Sequence, residues 1–177
     1  MKVSIFGGAS ARPGDQAYQD ALRLGGLLAA HGHTVMTGGY VGIMEAASRG
    51  AREKGGRVLG IVMNQFKSEP NRYLTDKVAT DHFYDRLQNL ITRSVGFVAF
   101  RGGMGTVTEI SLVWNKLQTR VLGSRPLVLV GDCWPPIVAA CQSTLVVSDT
   151  DVRILDFAKD AGEAAEIILR KSKGVII

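Results

Sequence analysis

Hydrophobic positions along this chain switch between two periods. Short apolar runs at residues 3–6, 34–37, 57–62, 95–100, 126–130 and 154–157 read as strands, with a shorter and more polar one at 77–80. Between them, apolar residues recur every three or four positions, as Ala21, Leu24 and Leu28 do, which predicts helices over 18–30, 43–54, 82–93, 135–145 and 161–170. Ile110, Val113, Trp114 and Leu117 mark one more helix after the fifth strand. This alternation predicts an α/β fold: a doubly wound, Rossmann-like, mostly parallel sheet of about seven strands with helices on both faces. Nothing resembling a linker, repeat or low-complexity segment interrupts it, so a single domain over 1–177 is expected. Residues 63–75 turn polar and read as a surface loop, a mobile wall beside any site.

Three strands end in glycine-rich turns: Gly7-Gly8-Ala9-Ser10, Gly38-Gly39-Tyr40-Val41-Gly42, and Arg101-Gly102-Gly103-Met104-Gly105-Thr106. In a doubly wound sheet such turns gather at the carboxyl edge, where ligands collect. The third runs from strand through glycines into a helix start, an arrangement that aims backbone N–H groups and a positive helix end at an anion. Gly102, Gly103, Gly105 and Thr106 therefore form the expected phosphate seat, with Gly8, Ser10, Gly38, Gly39 and Gly42 as further nucleotide-binding candidates. Neither G-x-G-x-x-G nor G-x-x-x-x-G-K-[ST] occurs, which disfavours a conventional dinucleotide or nucleoside-triphosphate site.

Glu109 stands one helical turn beyond Thr106 and has two readings. Thr-x-x-Glu before an apolar run is a capping box, with Thr106 and Glu109 bonding each other's backbone. Alternatively, Glu109 is a catalytic carboxylate; it must then face a sugar rather than the phosphate, which would repel it. Arg86, on the helix before the phosphate strand, is an exposed helical arginine or a ligand-binding one. His31 and His33 are expected at the surface, and His82 beside Asp81 is a weaker acid–base candidate. Asp15, Tyr18 and Ser10 follow the first strand closely enough to touch a ligand.

Composition narrows the function classes. Apolar residues make up 46% and charged residues 21%, as in ordinary globular chains. The net charge of +5 suits an anionic small ligand, and without a basic block interleaved with aromatics it gives no sign of nucleic acid. Cys133 and Cys141, expected on one helix, have the spacing of neither a zinc knuckle nor a redox pair, so a reducing cytoplasm is expected. No membrane association, metal or organic cofactor is expected.

Gly102-Gly-Met-Gly-Thr-Val-Thr-Glu109 resembles the PGGxGTxxE signature of the LOG ("lonely guy") family, formerly labelled possible lysine decarboxylase. Gly38-Gly-Tyr-Val-Gly-Ile-Met44 is similar to that family's GGxxGLM motif, and Phe6-Gly-Gly-Ala-Ser10 to its first loop. The resemblance implies a homodimeric phosphoribohydrolase cleaving AMP, or cytokinin riboside 5′-monophosphates, to base and ribose 5-phosphate. It implies Arg86 and Glu109 as the catalytic pair, and Trp114 and Leu117 are plausible at a dimer interface. The decarboxylase label finds no lysine placed for a Schiff base.

Three positions depart from the family pattern: Arg101 in place of Pro, Leu87 in place of Lys, and Glu45 in place of Gly. Met44-Glu-Ala-Ala47 resembles instead the molybdenum-cofactor carrier branch of the same fold, which implies an alternative: binding a phosphorylated ligand without turnover.

Overall fold

In a computed structural model that describes residues 1–175, seven strands form one parallel sheet. They are β1 (Lys2–Phe6), β2 (Thr34–Thr37), β3 (Val58–Met63), β4 (Asp76–Thr80), β5 (Gly96–Ala99), β6 (Leu127–Val130) and β7 (Leu155–Ala158), in the order β4-β3-β2-β1-β5-β6-β7. The helices are α1 (Gln16–Ala30), α2 (Ile43–Glu53), α3 (Phe83–Thr92), α4 (Met104–Gln118), α5 (Trp134–Thr144), α6 (Asp149–Val152) and α7 (Ala161–Lys171). The α/β expectation therefore holds, strand for strand.

Period-two alternation divides the core into two layers. Val3 and Ile5 of β1, Val98 of β5 and Val128 of β6 pack with α1, α2 and α7. Phe6, Phe97, Leu127 and Leu129 point the other way, against Leu90 and Ile91 of α3, Ile110 and Val113 of α4, and Val138 of α5. Leu117 belongs to this second layer and Trp114 packs against it, donating its indole N–H to Asp151 O at 2.9 Å. Both were expected at an interface. Leu117 is instead core, and Trp114 ties α4 to α6.

The chain runs outward from β1 through β2 and β3 to β4, then returns across the sheet to β5 on the other side of β1. This reversal opens the sheet between the carboxyl ends of β1 and β5. The crossover from β3 to β4 contains no helix; residues 64–75 make it. That segment was expected to be a surface loop, and residues 64–69 are exposed. Its second half is anchored: Asn71 is buried, and Leu74 packs on the α1–α2 layer where Gly39 and Gly60 leave room for it.

Helices α1 and α2 pack backbone to backbone. A Cβ on Gly25 would overlap the Ala47 carbonyl, and one on Gly50 would overlap that of Leu22. Gly50→Ala should therefore destabilise the protein by about 1–3 kcal/mol through overpacking. A thermal melt should show a drop of several degrees, whereas Gly14→Ala, where nothing lies within 4 Å of the added methyl, should leave the melt nearly unchanged.

Candidate functional site

Two glycine turns interlock at the opening between β1 and β5. Gly8 N–H donates to Arg101 O at 3.0 Å, and Ile43 N–H donates to Gly8 O at 3.0 Å. Side chains at Gly8 or Gly42 would meet this backbone directly; Gly42 also needs its positive φ of 71° to start α2. Beside the joint lies a cavity of about 880 Å³, lined by Gly8, Ser10, Gly14, Asp15, Gln16 and Arg101 together with Gly102 and Gly103. Gln16 was not anticipated, although it directly follows the N-cap of a helix that starts at the carboxyl edge.

Helix α4 begins at Met104 with Gly103 as its N-cap, has no side-chain cap bond, and carries no acidic residue in its first turn. Its leading N–H groups and positive end are thus left for an anion. Gly103 and Gly105 border open space on the side where a Cβ would project. Thr106 is buried, with its Oγ1 against Gly102, so it holds the turn's shape.

The capping-box reading of Thr106 and Glu109 fails, because the helix starts two residues before Thr106 and Glu109 lies in its second turn. Glu109 instead reaches Arg86: Oε1 lies 3.7 Å from Nη1, and both side chains are about nine-tenths buried. Arg86 is not the exposed residue that its type suggests. Its Nε donates to Ile61 O at 2.9 Å, and its Nη2 occupies the space a Cβ on Gly38 would need. Burial raises the Glu109 carboxyl from its ordinary 4.5 to about 7, although the Arg86 charge pulls the other way.

The remaining candidates separate. Ser10 lines the cavity, but Gly38 and Gly39 do not reach it; Gly38 packs on Arg86 and Met44, and Gly39 on Val62 and Leu74. Tyr18 is buried in the α1–α2 layer. His33 is buried too, against the surface expectation. His82 is the exposed N-cap of α3, and Asp81 accepts from Asn64 Nδ2. Cys133 is the N-cap of α5 rather than part of the helix, and both cysteines are free.

The pair predicts a pH signature. Folded Glu109 binds its proton more tightly than the unfolded chain does, so this contribution to stability is fully present below pH 4.5. It is lost as pH rises through about 7. The loss amounts to about 3 kcal/mol. Chemical denaturation at pH 5 and pH 8.5 should show a larger fall for the natural protein than for Glu109→Gln; equal falls would contradict the buried, proton-holding carboxyl.

The model of the SLOG cluster4 family matches residues 1–132, which run from β1 through all three glycine turns, α4 and β6. The chain is 32% identical over 130 residues to an uncharacterized protein of Archaeoglobus fulgidus, covering 73% of this chain and 83% of that protein. It is 31% identical over 119 residues to a cytokinin riboside 5′-monophosphate phosphoribohydrolase of Mycobacterium tuberculosis, covering 64% of this chain and 62% of that protein. A probable phosphoribohydrolase of the same name from Oryza sativa subsp. japonica is 34% identical over 125 residues, covering 68% of this chain and 50% of that protein. The chain thus spans between half and two thirds of the length of these two relatives. Among solved structures, the molybdenum cofactor carrier protein of Chlamydomonas reinhardtii superposes with a TM-score of 0.76 at 25% identity over 96% of each chain. A molybdenum cofactor binding protein of Rippkaea orientalis, at 23% identity and a TM-score of 0.78 over 96% of this chain and 95% of that one, shares the fold. With its match covering all three glycine turns and the Glu109 helix, the chain belongs to the SLOG cluster4 family, a LOG-type family.

Proposed function

We propose that this protein is a nucleoside 5′-monophosphate phosphoribohydrolase that cleaves the N-glycosidic bond of AMP or an N6-modified AMP. The observation that carries this reading is a buried carboxyl with a pKa of about 7, paired with Arg86, in the second turn of a helix whose N-terminus is uncapped. Glu109 lies three residues, about 4.5 Å of helical rise, beyond Thr106, the last of the free N–H groups, the scale of a ribose between its phosphate and its anomeric carbon. The phosphate sits on the N–H groups of Gly103 to Thr106 with Gly102 and Gly8 beneath it, and Ser10 and Arg101 reach it from the cavity rim.

Ionised Glu109 opposes the positive charge that develops at C1′ and takes a proton from the attacking water. The new bond joins water oxygen to C1′, and the C1′–N bond breaks. Its electron pair leaves with the base, which takes up a proton from solvent. Arg86 steadies the carboxylate from the β3 side and keeps enough of it ionised near neutrality to act as a base. A homodimer in the reducing cytoplasm completes the reading.

A carrier for a phosphorylated ligand such as molybdenum cofactor is the second reading, favoured by the end-to-end match to the Chlamydomonas reinhardtii carrier protein. Incubation with AMP and an N6-modified AMP, with free base assayed by chromatography, separates the two. The hydrolase releases base from at least one; no release from either, with tight binding of a phosphorylated pterin, identifies a carrier. For the hydrolase, Glu109→Gln should lower kcat by about 10²–10⁴-fold. The natural rate should rise with pH through about 7, as the carboxylate forms.

A further inference from the structure

Residues 64–75 replace a crossover helix, and Asn71 is the polar side chain they bury most deeply. Its backbone N–H donates to Gly39 O at 2.8 Å, and its Nδ2 donates to Tyr40 O at 2.9 Å. Its Oδ1 accepts from Tyr73 N–H at 3.1 Å, which fixes the amide's orientation. Two consecutive carbonyls of the second glycine turn are thus held by one residue from outside the turn. A second tie flanks the first: Tyr40 Oη accepts from Met63 N–H at 2.9 Å and contacts Met63 O at 3.3 Å.

The turn held in this way meets the catalytic pair. Gly38 immediately precedes the clamped carbonyls, and its Cα side is filled by the Arg86 guanidinium. Arg86 is otherwise fixed by Ile61 O, from the strand that feeds the loop. A shift of Gly38 away from Arg86 would let the guanidinium move into the space that Gly38 leaves. At a separation of 3.7 Å, such a movement directly changes the Arg86–Glu109 interaction.

We infer that Asn71 is a positioning residue: by clamping Gly39 and Tyr40 it holds Gly38 against Arg86 and so sets the distance from Arg86 to Glu109. The hydrogen bonds of Asn71 go to Gly39, Tyr40 and Tyr73, and none goes to the α4 N-terminus or to the β1 turn. Arg86 is the charged group that acts on Glu109 from the packed elements around it, α3 and β3. Glu109 is carried by α4, to which Asn71 makes no hydrogen bond. Loosening the clamp therefore weakens the attraction and leaves the desolvation in place.

Titration of the Glu109 side-chain carboxyl by ¹³C NMR tests this in Asn71→Ala, in Asn71→Asp, and in Asn64→Ala as a control from the same loop. Asn71→Asp keeps the side chain's size and its acceptor for Tyr73, and carries the test if the alanine variant does not fold. The expected result is an upward displacement of the Glu109 midpoint by roughly half a unit or more in the Asn71 variants, and none in Asn64→Ala. A folded Asn71 variant with an unmoved midpoint overturns the assignment.

The kinetic arm alone rests on the phosphoribohydrolase reading. There kcat for AMP should fall about tenfold or more with KM changed less than about twofold, since the phosphate contacts persist. A variant that raises KM and spares kcat also overturns the assignment. Absence of turnover in the natural protein counts against the hydrolase reading, and the titration still decides the role of Asn71.

Discussion

The burial of one carboxyl and one guanidinium in a shared pocket is the constraint around which this molecule is arranged. Removing Glu109 from water disfavours its charge, and Arg86 at 3.7 Å only partly offsets that cost. Desolvation wins, which is why the carboxyl titrates near neutrality instead of near 4.5. The surrounding elements supply what such a pair requires. Ile61 O takes the Arg86 Nε, Gly38 makes room for the guanidinium, and α4 carries Glu109 inward beside Ile110 and Val113.

Glycines do three separate jobs around this pair. At Gly25 and Gly50 they let two helices touch backbone to backbone, which is packing and nothing more. At Gly8 and Gly102 they bring two turns close enough to hydrogen-bond across the sheet's opening. At Gly103 and Gly105 nothing fills the space where side chains would be, so a ligand's anionic end can approach the helix start. The same residue type thus supports the scaffold, joins the switch point and clears the proposed seat.

Strand positions were legible because period-two runs such as Val-Ser-Ile-Phe and Leu-Val-Leu-Val force alternate side chains into two separate layers. The sites were legible only as clusters. Thr106-x-x-Glu109 has capping-box spacing, yet the helix starts earlier, at Met104, because an uncapped glycine turn already sets its direction. A capping box does form at Ser148 and Asp151, on a four-residue helix too short to leave a periodic signal. Arg86 was legible as a position, but not its depth, which follows from a contact with Ile61 25 residues away. The anchoring of the 64–75 loop at Asn71 and Leu74 was not legible at all. Its polar composition reads as solvent-facing, and only the fold reveals that Asn71 spends its amide on the backbone of a distant turn.

A crystal structure with AMP or ribose 5-phosphate bound tests the central assignment most directly. The account predicts the phosphate on the N–H groups of Gly103 to Thr106 at hydrogen-bond distance, about 3 Å, with the anomeric carbon turned toward the Glu109 carboxylate. A phosphate seated elsewhere, or a sugar whose anomeric carbon faces away from Glu109, would contradict it.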